Sequence, residues 1–297
     1  MLKKAVITLL ILVIIGSALF YIGNTFADND VSSFTEKNSF SAQIDKENVE
    51  KNLLEANFAG ENIKIDDFTD IDIDVMSANI FLVYGDDYSL KYNIHDREKI
   101  KTLDVSNGVL RFSTTFKLDM NVDYGDWYVQ VTIPKGTEMG DLNLNTVSGD
   151  IAIEDSILKN AQLNSTSGEI SIINSKIDTA EIKSVSNKIS IEDSEILKIK
   201  AENKSDDIIL AGTFHDIDLY SVSGNLIIKG TPSNQSKIET VSGNIDLFLT
   251  EYVGVSAKSY GKIEYNNNDQ GYKFNNSQGS DNIYLKSVSG KIQIKDK

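Results

Sequence analysis

Serine beside glycine recurs along the second half of the chain, at Ser148-Gly149, Ser167-Gly168, Ser223-Gly224, Ser242-Gly243 and Ser289-Gly290. Such a serine becomes a nucleophile only with a base within hydrogen-bond reach to take its proton. The chain has two histidines, His95 and His215, far apart and in no Gly-x-Ser-x-Gly, His-x-His or His-Glu-x-x-His setting. Carboxylates are the other candidates, and Asp66, Asp67, Asp70, Asp72 and Asp74 form the densest cluster. Calcium needs several oxygens converging on one point beside a sharp glycine turn. Here Asp72 and Asp74 alternate with isoleucines, which puts them on the outer, solvated face of a strand. The Gly-Gly-x-Gly-x-Asp nonapeptide of calcium-binding β-rolls is absent. Polysaccharide-cleaving β-helices use paired carboxylates, and no pair stands out. The absence of cysteine excludes disulfides, thiolate metal sites and a thiol nucleophile. The expectation is a protein with no catalytic, metal-binding or cofactor-binding residue and no cofactor.

The serines belong to a repeat. TVSGDIAI (146–153), STSGEISI (165–172), SVSNKISI (184–191), NKSDDIIL (203–210), SVSGNLII (221–228), TVSGNIDL (240–247), SYGKIEY (259–265) and SVSGKIQI (287–294) follow one another. The glycine position falls at 149, 168, 187, 206, 224, 243, 261 and 290, in steps of 18 or 19 residues except for a last step of 29. A fixed period near twenty residues is the signature of a solenoid. Two and four residues after the glycine stand Ile151/Ile153, Ile170/Ile172, Ile189/Ile191, Ile208/Leu210, Leu226/Ile228 and Ile245/Leu247. A period of two puts both on the core face of a short strand. Ala161/Leu163, Ala180/Ile182, Ile199/Ala201 and Ile217/Leu219 mark a second strand in each rung. The residues between, such as Ala152, Ser171, Ser190 and Gln293, are expected to face solvent. Serines before the glycine, and the column Ser156, Ser175, Ser194, Thr213, Thr231 and Thr250, suit tight corners where hydroxyls bond nearby backbone and one another. The glycine itself suits positive φ at a corner, with Asn187 and Asp206 as tolerant replacements.

The fold class expected is therefore all-β, a β-helix-like β-solenoid of 18–19-residue rungs with an N-terminal β cap, preceded by one transmembrane helix. Ala5 to Ile22 is an uncharged apolar run of eighteen residues behind Lys3 and Lys4. As a helix it rises about 27 Å, close to the hydrocarbon thickness of a bilayer. The two lysines favour an N-terminus inside and the body outside. Thr25-Phe26-Ala27 is a poor cleavage site, so a retained anchor is preferred to a signal peptide. The organisation expected is an anchor over 1–27, a polar tether over 28–60, a β-strand cap over 61–140 and solenoid repeats over 141–297. Asn107-Gly108 marks a hairpin in the cap, and Met76 to Leu82 reads as a weak first copy of the repeat. The eleven or so extra residues within 266–282 are expected to form a protruding loop. The chain is expected to stop at an open edge after Ile294, guarded by Lys286, Lys291, Lys295 and Lys297.

The net charge is −15, or −17 once Lys3 and Lys4 are set aside. An acidic body is repelled by phosphate backbones, so nucleic acid is not expected as a partner. The order of four motifs carries a family resemblance. They are Ser77-Ala78-Asn79-Ile80, Asn107-Gly108-Val109-Leu110, Val131-Thr132-Ile133-Pro134-Lys135-Gly136, and Leu144-Asn145-Thr146-Val147-Ser148-Gly149-Asp150-Ile151. From Ile71 to Ile294 the chain resembles the putative adhesin domain family, a β-strand-repeat domain of bacterial envelope proteins. The resemblance implies an envelope location, often behind one transmembrane helix, and brings no catalytic residues. The expected function is a membrane-anchored extracytoplasmic binding or scaffold module. Its partners would be the cell membrane through the helix and an envelope protein, a glycan or a cationic peptide. The alternatives are an envelope-stress sensor or modulator that binds cationic peptides or a membrane regulator, and a glycan-acting enzyme on a β-helix.

Overall fold

The computed structural model describes residues 61–94, 98–116, 127–232, 235–276 and 283–296. The expected anchor, the tether and His95 lie outside the described residues. No helix among the described residues is long and apolar enough to cross a membrane, and everything regular in them is strand. The first strands are β1 (Glu61–Lys64), β2 (Asp70–Asp74), β3 (Asn79–Gly85), β4 (Ser89–Asn93), β5 (Glu98–Ser106), β6 (Val109–Phe116) and β7 (Tyr128–Pro134). The repeats supply β8 (Glu138–Thr146), β9 (Ile151–Glu154), β10 (Ile157–Ser165), β11 (Ile170–Ile173), β12 (Lys176–Ser184), β13 (Ile189–Asn203) and β14 (Ile208–Ser221). They continue with β15 (Leu226–Lys229), β16 (Ser236–Thr240) and β17 (Ile245–Phe248), and the chain closes with β18 (Val255–Tyr265), β19 (Asn268–Asn275), β20 (Ile283–Ser287) and β21 (Ile292–Lys295).

From β8 to β17 the rungs stack in parallel and in sequence order. The short strands keep the motif in register: Ile151 pairs with Ile170, Ile170 with Ile189, Ile189 with Ile208, Ile208 with Leu226 and Leu226 with Ile245. The long strands do the same through Leu144, Leu163, Ile182, Ala201 and Leu219. In each long strand the pairing skips one position, at Lys159, Asp178 and Leu197 in successive rungs. The strand bends there, so a rung has three straight pieces. Ile170, Ile172, Ile177, Ala180 and Ile182 fill the inside of one rung, none more than 1% exposed. Burying each of the larger ones contributes about 1.5–3 kcal/mol. Side-chain oxygens also tie rung to rung. Asn79 Oδ1 accepts the Asp150 N–H at 2.8 Å, and Asp150 Oδ1 accepts the Glu169 N–H at 2.8 Å. Further along, Asp207 holds Asn225, Asn225 holds Asn244 and Asn244 holds Lys291 at 2.7–3.0 Å.

The pleat assigns the expected faces, but Ala152, Ser171 and Ser190 are only 8%, 5% and 2% exposed, and Ile209 and Ile227 in the same column 6% and 5%. The expectation that these positions meet solvent is corrected. Alternation fixes the side a residue points to, not whether that side is covered.

At both ends the stacking order departs from the sequence order. β2 pairs in parallel with β8 on one side and β6 on the other, and β3 with β9 and β7. Ile80 thus stacks on Ile151, continuing the column of the repeat, while the later rung β6–β7 lies outside the earlier one. β5 folds back on β6 across Asn107 and Gly108, at φ 52° and 75°, the positive pair that a type I′ hairpin turn requires. β4 and β1 complete this end with antiparallel pairings on β7 and β4. At the other end β20 sits between β16 and β18, and β21 between β17 and β18. The expected open edge at the last motif is therefore wrong: its strands are interior, and Lys286, Lys291 and Lys295 do not guard a free edge. The protruding loop expected over 266–282 is corrected for 268–275, which form β19, antiparallel on β18. Residues 277–282 lie outside the described residues. The chain needed those extra residues to run past its last place in the stack, turn, and come back into it.

Candidate functional site

The repeated serines are corner pieces. Ser165, Ser221 and Ser287 accept the N–H of Gly168, Gly224 and Gly290 at 2.8–2.9 Å. Ser186, Ser205 and Ser223 donate to the backbone carbonyls of Thr166, Val185 and Lys204 in the rung before, at 2.9–3.1 Å. Ser175 Oγ accepts the Ser156 N–H, and Ser194 Oγ the Ser175 N–H, both at 3.0 Å. All these hydroxyls are engaged with backbone in ways that build rungs. The glycine is a different matter from the expectation. A Cβ on Gly168 would lie 1.7 Å from the Gly149 carbonyl oxygen, and one on Gly224 1.7 Å from that of Asp206. Close approach of rungs, not positive φ, favours glycine at these two positions, and Asn187 and Asp206 hold the equivalent place in the rungs between without positive φ. Positive φ occurs at the opposite corner, at Asp155, Asn174 and Asp193, with φ 53°, 49° and 47°.

The acidic cluster is also structural in part. Asp70 Oδ1 accepts the Asp141 N–H at 2.6 Å and Asp72 Oδ1 the Asn143 amide at 2.8 Å. His215 lies at the bend of β14, level with Leu197 of β13. Burial raises the Asp246 carboxyl above its ordinary value, Lys291 and Lys295 pull it back, and Asp207 adds to the rise. Asp246 stands on the short-strand sheet, between Ile227 and Gln293.

The outer face of the long strands carries the open chemistry. One column runs Asn143, Gln162, Glu181, Lys200, Asp218, Lys237, Tyr284 and Ser256. The next runs Asn145, Asn164, Lys183, Glu202, Tyr220, Glu239, Lys286 and Lys258. Ion pairs link the columns within a strand, Lys183–Glu181 at 2.5 Å, Lys200–Glu202 at 3.2 Å and Lys237–Glu239 at 2.6 Å. Burial pushes the Glu239 carboxyl up, but Lys237 and Lys286 outweigh it and hold the group below its ordinary value. Where β16 begins, only at Ser236, the ladder on β14 starts late, at Asp218. The step leaves a groove over Ile199 and Ile217, walled by Lys198, Lys200, Asp216, Asp218, Lys237 and Tyr284. A second, smaller depression adjoins it across Tyr284, formed by Ser256, Lys258, Lys273, Phe274 and Asn275. Tyr252, Tyr260 and Tyr272, at 67%, 74% and 66% exposure, lie in the same C-terminal part of the chain. Sequence reasoning picked out none of the charged and aromatic residues that wall the groove. Aligning the repeats places Lys183, Lys286 and Lys258 in one column, each just before a motif serine, but not which rung lies beside which.

Comparison with known proteins bears on the fold. No curated protein matches the chain. The solved structures similar to it include a putative adhesin from Bacteroides fragilis, at 12% identity over 80% of this chain and 96% of that one, with a TM-score of 0.38. A putative lipid binding protein from Parabacteroides distasonis is 17% identical over 80% and 96%, with a TM-score of 0.42. A putative adhesin from Parabacteroides merdae is 15% identical over 80% and 95%, with a TM-score of 0.37. The family model described as Toastrack DUF4097 matches residues 68–295. That span runs from the loop before β2 to the end of β21, and it includes the interleaved strands at both ends. The chain belongs to the Toastrack DUF4097 family.

Proposed function

We propose that this protein is a non-catalytic, membrane-held, extracytoplasmic binding module that takes an extended, hydroxyl-rich polymer such as a glycan along the outer face of its long strands. One observation carries the reading: the open groove walled by Lys198, Lys200, Asp216, Asp218, Lys237 and Tyr284. Its donors, acceptors and aromatic ring repeat at the strand spacing of about 4.8 Å, which suits a chain lying across several rungs. Pockets for small molecules are mostly enclosed, and this groove is open along its length. Its charges alternate in sign, which supports a polar polymer over a cationic peptide, whose site would be a one-sided acidic stripe. The apolar run Ala5 to Ile22 behind Lys3 and Lys4 supports the anchored topology.

Two experiments test the two halves of the reading. Calorimetry of the full chain in maltoside micelles against soluble cell-wall glycan fragments should give saturable binding, weakened about tenfold or more by Lys200→Ala with Asp218→Ala, equivalent to about 1.4 kcal/mol. Absence of binding, or equal binding by the variant, would sink the groove. Protease added to wall-stripped intact cells should digest the β body. Full protection beyond Asn57 would sink the location.

A further inference from the structure

Like charges directly across an antiparallel strand pair are destabilising. Yet β18 and β19 set Lys258 opposite Lys273, and β20 sets Lys286 beside Lys258 on the other flank. Ala257 is buried and Phe274 packs on the core, so by the pleat the neighbouring lysines point outward. Glu239 is next in the row, and it is taken by Lys286 at 3.5 Å and Lys237 at 2.6 Å. Lys258 and Lys273 have no ion pair among the described residues. Lys258 Nζ stands 6.0 Å from the centre of the Tyr260 ring, the outer limit of a cation–π contact. Among the described residues no carboxylate thus pairs with either of these two cross-strand lysines, in a chain of net charge −15. The adjoining cross-strand row is Tyr284, Ser256 and Asn275. Lys258 and Lys273 of the first row and all three residues of the second line one depression, together with Ala257 and Phe274.

We propose that this depression binds a phosphate group. Lys258 and Lys273 supply two point charges, and the hydroxyls of Ser256 and Tyr284 with the Asn275 amide supply donors from a second direction. Lysine serves phosphate as a point charge, whereas a planar carboxylate is better matched by the arginine fork, and no arginine is present. The bound anion relieves the repulsion between β18 and β19. The site goes beyond the polymer reading and shares only Tyr284 with its groove, so either can fail alone.

The test uses the full chain in maltoside micelles, titrated with inorganic phosphate and separately with glycerophosphoglycerol, a soluble lipid headgroup. Lys258→Gln with Lys273→Gln is compared with Lys135→Gln with Lys159→Gln, two exposed lysines elsewhere. The wild type and the second variant should bind phosphate saturably, and the first variant at least tenfold more weakly. Without phosphate the first variant should melt higher than wild type, because the repulsion is gone. No binding by wild type, or equal loss in both variants, overturns the site. Competition by glycerophosphoglycerol assigns the phosphate to a lipid headgroup, and binding of inorganic phosphate alone assigns it to a free phosphate.

Discussion

The middle of the stack and its two ends are built on different plans. Between β8 and β17 each rung touches the rungs before and after it in sequence, as in any solenoid. At the ends the neighbours in space are not the neighbours in sequence. β2 and β3 lie between β6–β7 and β8–β9, and β20 and β21 lie between β16–β17 and β18. A simple solenoid frays from its last rung inward, since that rung is held on one side only. Here the outermost strands at the C-terminal end, β18 and β19, stay in place only while the returning strands β20 and β21 hold them to the body. The edge that remains, β19, carries Lys273 and a pairing irregularity at Gly271, where φ is 71°. Both features hinder pairing with another chain.

Five measurements would break or sharpen this contrast. The largest effect is expected in the middle: Ile172→Asp places an unpaired carboxylate between stacked neighbours, costs several kcal/mol and should abolish the cooperative melt seen by circular dichroism. Next, removing residues 277–297 takes away the strands between β18 and β17. Amides of β18 and β19 should then exchange as fast as an unfolded chain while β10 to β13 stay protected, and protection of β19 in the truncated chain would mean that the end does not need its returning strands. Gly168→Ala should cost about 1–3 kcal/mol as an overpacked contact, read from the urea midpoint. Gly136→Ala, where φ is 81° and nothing lies within 4 Å, should cost only about 1–2 kcal/mol from the left-handed backbone. A larger loss at Gly136 would put the strain in the backbone and not between the rungs.

The smallest effect is pH-dependent and confined to the C-terminal end. Tyr265 and Asn266 donate to the Asp296 carboxylate, and Asn266 Oδ1 accepts the Asp296 N–H at 3.1 Å. The Tyr265 hydrogen bond, with that from Asn266, holds the Asp296 carboxyl below its ordinary value and raises the Tyr265 phenol. A carboxyl depressed in the folded state stabilises it above the unfolded pKa, and that contribution is lost as pH falls through the folded value. Exchange protection of 266–275 should therefore drop in acid before that of β10 to β13, and Asp296→Asn should remove the part of the drop that this contact causes. Equal acid sensitivity in wild type and variant would detach Asp296 from the clasp.

The middle was legible because its physics is local. Ile170 and Ile172 alternate within one strand, Ser165 reaches a glycine three residues away, and a constant step stacks like on like. The ends were not legible for a related reason. SYGKIEY and SVSGKIQI are both good rungs, and nothing in either motif says which of them docks on Ile245 and Leu247. That choice is made by the chain between them, whose Asn268–Asn275 stretch alternates too weakly to announce a strand. The role of Gly168 was hidden because a tight corner and a close approach of two backbones ask for the same residue. The lysines of the candidate phosphate site were visible singly, but Lys258 and Lys273 become neighbours only through the β18–β19 hairpin.

The interleaved ends have a consequence for how such a protein can change length. A unit of nineteen residues cannot be appended at either tip, because both tips are closed by strands that have doubled back. It can enter only by intercalation between β8 and β17, where any rung presents the same columns above and below. Each duplicated unit would move the two closures apart by about 4.8 Å and leave both untouched. The architecture thus works as a ruler with fixed end-stops and an adjustable scale.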